Sequence, residues 1–130
     1  MTYYISKIVH QPFEAVVADV TARLQEQGFG VLTDIDVQAV IKAKIGADMR
    51  RYRILGACNP RVAHEALQIE DKLGVLLPCN VIVREAGDGE VEVASVDPVA
   101  AMERTGNPAL RSRAEQILHL LVTALSQVGR

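Results

Sequence analysis

Tyr52-Arg53-Ile54-Leu55-Gly56-Ala57-Cys58-Asn59-Pro60 is the stretch that sets the architecture. It closes a strand, drawn from Met49 to Cys58, and opens a helix within one residue of it. Asn59 offers a side-chain oxygen to free backbone amides, and Pro60 suits a first helical turn. Alternation along the strand puts Tyr52, Ile54, Gly56 and Cys58 on one face. Arg51, Arg53, Leu55 and Ala57 share the other. The arginines mark their face as the wetter one, which sends Cys58 toward the core. A second Cys-Asn step, Leu76-Leu77-Pro78-Cys79-Asn80-Val81, lies in the next strand. The two segments contain both cysteines of the chain.

Working outward, Thr2 to Val9 reads as a strand. Pro12 starts a long N-terminal helix that Gly28 stops, with Phe13, Val16, Val17, Val20 and Leu24 as its apolar stripe. Phe29 to Ile35 reads as another strand. Asp36 caps a short helix through Ile45, whose predicted buried side is Val37, Val40, Ile41 and Ile45. After the helix that starts at Pro60, Val75–Glu85 and Glu90–Asp97 make a hairpin around Gly87-Asp88-Gly89. Pairing Ala86 with Glu90 sets Arg84 opposite Glu92, Val83 opposite Val93 and Cys79 opposite Asp97. Asp97-Pro98 starts a short helix. Asn107-Pro108 starts a long C-terminal one with a wide stripe that includes Leu110, Ala114, Ile117, Leu121 and Leu125. The expectation is an α+β two-layer sandwich, a mainly antiparallel sheet with helices on one face, in a single domain over 1–130. The other face is expected to carry Arg51, Arg53, Arg84 and Glu92 with Leu55, Ile82 and Ala94, open to water or to a second copy.

Composition narrows the function classes. The chain has 130 residues, 49% of them hydrophobic, and a net charge of −2. That suits a core without staples and argues against a nucleic-acid partner. The longest apolar run, Val75 to Val83, is broken by Asn80 and too short to span a bilayer, so no membrane partner is expected. No secretory signal is read, so the expected address is cytoplasmic and the thiols stay reduced.

Gly28-Phe29-Gly30-Val31-Leu32-Thr33, the Lys42 to Gly46 stretch, the two Cys-Asn segments and Asp97-Pro98 occur in this order. On these motifs the chain resembles the domain of unknown function 302 family over nearly its whole length. The resemblance implies an α+β fold similar to the TATA-box-binding-protein-like architecture and a homodimer. It implies no established reaction.

The candidate ligand-binding residues are Cys58, Asn59, Cys79, Asn80 and Asp97, polar groups at strand ends that otherwise point into an apolar core. They define an expected small-molecule pocket in a binding or regulatory domain. The alternative is a thiol-dependent enzyme or a redox or metal sensor using Cys58 and Cys79. Cys58, next to a helix start, is either an activated thiolate or a small buried hydrophobe. A carboxylate at Asp97 beside Cys79 would raise that thiol's pKa. Asn59 and Asp97 also read as plain helix caps. No cofactor or metal is expected, because Cys58, His64, Cys79 and Asp97 match no ligand spacing.

Overall fold

The computed structural model describes residues 2–130. Strands β1 (Tyr4–Val9), β2 (Gly30–Asp36), β3 (Tyr52–Cys58), β4 (Cys79–Gly87) and β5 (Glu90–Val96) form one sheet in the order β1-β5-β4-β3-β2. All four pairings are antiparallel. The helices are α1 (Phe13–Glu26), α2 (Val37–Ile45), α3 (Pro60–Ile69), α4 (Pro98–Glu103) and α5 (Arg111–Gln127). This is the α+β sheet-and-helix architecture expected.

Helix α1 corrects the expectation of a long N-terminal helix. It has 14 residues against 17 in α5. Pro12 stays extended outside the helix, and Gly28 turns out of it at φ +85°. Helices α1 and α5 cover one sheet face. Leu24, Leu55, Val81, Val83, Val93 and Leu121 are fully buried between the layers. Lys7 ties β1 to the end of α5, its Nζ donating to the carbonyls of Leu125, Ser126 and Val128 at 3.4, 3.2 and 2.6 Å. A cation among the free carbonyls of a helix C-terminus is favourable for both charge and hydrogen bonding.

The assignment of faces on β3 is also corrected. Leu55 and Ala57 are fully buried, so the face that carries the arginines is the core face. The guanidinium groups stay wet by sitting at its rim. Arg51 pairs with Glu14 and lies over the Phe13 ring, 4.3 Å from its centroid. Arg53 Nε donates to Asp34 at 2.8 Å. Each stem covers apolar surface while its head reaches a carboxylate. The bond from Arg53 also holds the Asp34 carboxyl below its ordinary pKa.

Helix α2 departs from expectation as well. Asp36 caps it, accepting from the Ala39 amide at 3.0 Å, yet none of its residues is buried. Val40 and Ile45 are 46% and 74% exposed. It sits in the connection from β2 to β3, and β2 is the sheet edge. No wider layer is there to receive its stripe.

The hairpin keeps Arg84 opposite Glu92 and Val83 opposite Val93. Near the turn a bulge pairs Gly87, rather than Ala86, with Glu90. The ladder stops at Val81 with Ser95, so Cys79 and Asp97 are not paired. The Asp97 amide instead donates to the Tyr3 carbonyl at 2.7 Å. Residues Leu73–Leu76 form a 3-10 turn, which delays β4 to Cys79.

Candidate functional site

The five residues singled out in the sequence separate into three environments. Cys58, Asn59 and Cys79 line one small void beside Phe29, Val62 and Ile117, which Cys58 reaches from the last position of β3 although it shares the strand parity of the bare face. The void between them holds about 30 Å³, enough for one or two waters and far below a ligand site. Burial pushes the Cys58 thiol up. The Cys79 thiol is pushed up to about 11, first by burial and then by its neighbour Cys58. Neither direction favours a thiolate at neutral pH. Both cysteines are free thiols.

Asn59 and Asp97 are helix caps. Asn59 accepts from the Val62 amide at 3.3 Å. Asp97 accepts from the amides of Val99 and Ala100 at 2.9 and 3.3 Å. Its carboxylate is spent on α4 and does not complete a site with Cys79. Among the described residues no group of three or more His, Cys, Asp and Glu could hold a metal ion. Among them too, no helix is long and apolar enough to cross a membrane.

Asn80 lies on the opposite face, one step along β4 from Cys79, as strand alternation requires. That face has two full rows set by the register. Ile8, Glu92, Arg84 and Tyr52 make the first. Ser6, Ala94, Ile82, Ile54 and Ile35 make the second. Beyond it, past the end of the β4–β5 ladder, Tyr4 lies opposite Val96 at one side and Asn80, Gly56 and Thr33 line up at the other. The second row is apolar apart from Ser6. The charged pair flanks it on one side and Asn80 on the other.

A concavity of about 510 Å³ occupies this surface. Its floor includes Ile82 and Ala94, and its walls include Tyr3, Tyr4 and Tyr52. These are all the tyrosines of the chain, and it has no tryptophan. Arg84 Nε donates to Glu92 at 2.7 Å, so the two charges cancel. The volume falls within the range of small-molecule sites, about 300–1,000 Å³. A second cavity, about 240 Å³ between α4 and the start of α5, has its polar rim already engaged. Arg111 pairs with Glu103, and Asn107 caps the turn at Ala109.

Sequence reading missed the tyrosines. Tyr52 shares its parity with Ile54 and was placed on the core side because the arginines were given to water. Tyr3 and Tyr4 reach the site only because β1 pairs with β5. Nothing local in the N-terminal segment signals that pairing.

Fold and site together define an α+β domain with one helix-covered face and one bare, aromatic-walled face. Residues 5–128 match the family model described as Domain of unknown function DUF302, and the chain belongs to that family. It is similar in structure to an uncharacterized conserved DUF302 protein from Bacillus stearothermophilus. The TM-score is 0.92 at 23% identity, covering 98% of this chain and 99% of that one. At that identity the likeness speaks for the fold. No curated protein matches the chain.

Proposed function

We propose that this chain is a homodimeric binding domain whose ligand site is the bare sheet face, with Asn80 as its polar contact. The observation that carries this reading is the 510 Å³ concavity, walled by every tyrosine of the chain and fronted by Asn80. The two Cys-Asn segments then divide the work. Cys58, Asn59 and Cys79 serve the core, and Asn80 serves the ligand. Thiols held protonated by burial count against the thiol-enzyme reading. Free thiols suit a reducing compartment such as the cytoplasm.

Self-association is supported by a different surface. The stripe of α2 is unburied, and Leu32 on the neighbouring edge strand β2 is 65% exposed. A second copy related by a two-fold axis would cover both the stripe and the strand edge.

The two asparagines give the test. Asn59→Ala removes a helix cap and is expected to cost about 1 kcal/mol in urea unfolding. Asn80 is exposed, so Asn80→Ala is expected to stay within about 0.5 kcal/mol of the parent. In a ligand-observed NMR fragment screen, hits are expected to be lost in Asn80→Ala and kept in Asn59→Ala. Hits lost in Asn59→Ala alone would return the site to the cysteine side.

A further inference from the structure

Resting on the reading of the bare face as a ligand site, we infer that its ligand is a neutral planar heteroaromatic ring with an amide-like or amidine-like edge, of the kind found in nucleobases and flavins. Three features of the concavity specify this class. Its walls are aromatic, and Tyr3 and Tyr4 already meet edge to face at 5.1 Å. Rings in that arrangement present faces and edges to a third flat ring, and stacking of this kind tolerates any π system. The floor between the polar ends is aliphatic, at Ile82 and Ala94. A flat ligand lies on such a floor, whereas a bulky one would stand clear of it.

The polar groups fix the rest. Asn80 presents one donor and one acceptor in a single amide plane. That pair matches the adjacent donor and acceptor on the edge of a purine or a flavin. Arg84 is the only cation lining the concavity among the described residues, and Glu92 neutralises it at 2.7 Å. An anionic ligand would have to break that pair or sit beside Glu92 unpaired. The site therefore takes the uncharged ring. A phosphate or carboxylate tail is tolerated only where it projects into water. The overall charge of −2 works in the same direction against polyanions.

The chain supplies its own reporters. Every tyrosine lines the concavity, so the tyrosine ring-proton resonances in NMR report on this site alone. The full-length protein is titrated with 9-methyladenine and lumiflavin as neutral planar probes. Cyclohexanecarboxamide is the non-planar amide control, and benzoate is the planar anionic control. The expected result is that both heterocycles shift the tyrosine rings upfield at sub-millimolar concentration. The two controls are expected to bind at least about tenfold more weakly, as loss of stacking or of charge match requires. Asn80→Ala should weaken the heterocycles by about tenfold, and Asn59→Ala should leave them unchanged. If a control shifts the tyrosines as well as the heterocycles do, the concavity is a ligand site of another class, and only this inference falls. If no probe moves the tyrosines, or dilution alone moves them because a second copy fills the face, the ligand-site reading falls with it.

Discussion

Replacing Gly56 with valine is expected to lower the unfolding free energy by about 3 kcal/mol or more, a severe overpacking effect. A Cβ at this position would lie 2.2 Å from Thr33 Oγ1 and 2.7 Å from Pro78 Cγ. Thr33 is on the edge strand and can rotate its hydroxyl away. The Pro78 ring has no such freedom, because its χ angles are closed into the backbone. A residue with a side chain would ordinarily gain about 0.5–1 kcal/mol over glycine inside a strand. The clash outweighs that gain. Gly56→Ala should cost less than the valine change. Adding Thr33→Ala should recover part of the loss, with a coupling above about 0.5 kcal/mol in a double-mutant cycle read by urea midpoints. A valine variant as stable as the parent would mean that Pro78 and Thr33 do not close over this corner of the bare face.

The second large effect is on assembly. The pair Val40→Asp with Ile45→Asp is expected to raise the dimer dissociation constant at least about 100-fold, equivalent to about 2.8 kcal/mol. In the proposed dimer two aliphatic side chains would lose their burial, and the charges that replace them would face their own symmetry mates. Fold stability should hardly change, because no residue of α2 is buried within the chain. Sedimentation equilibrium on parent and variant separates the two effects. A parent that stays monomeric at high concentration, or a variant that dimerises as well as the parent, would remove α2 from the interface.

The local punctuation of this fold was open to reading because its signals act over a few residues. Asn59, Asp97 and Asn107 cap the segments they precede, as their side-chain oxygens predict. Arg84 opposite Glu92 fixed the hairpin register, since charge pairing and alternation agreed there. The face of β3 was misread for a reason of range. Arg51 and Arg53 are wet through Glu14 and Asp34, which lie 37 and 19 residues away in sequence. The strand alone gives no sign that an arginine beside a buried leucine has such a partner. The same limit hid the concavity on the bare face. Asn80 was singled out, but its tyrosine neighbours come from strands whose adjacency is a property of topology. Cys58 and Cys79 line one void of about 30 Å³, although the face assignment that brought them together in the sequence was reversed. The stripe of α2 shows the converse case. An amphipathic pattern announces a surface to be covered, and the covering layer need not belong to the same chain.

All of these readings turn on which side of the sheet meets solvent. Side-chain NMR with a neutral gadolinium chelate as a soluble broadening agent measures that directly. Strong broadening is expected for the Asn80 amide, the Tyr4 ring and the Ile8 methyl groups, with Leu55, Val81, Val83 and Val93 remaining sharp. Broadening of Leu55 and Val83 with Asn80 and Tyr4 protected would place the helices on the other face and contradict the account.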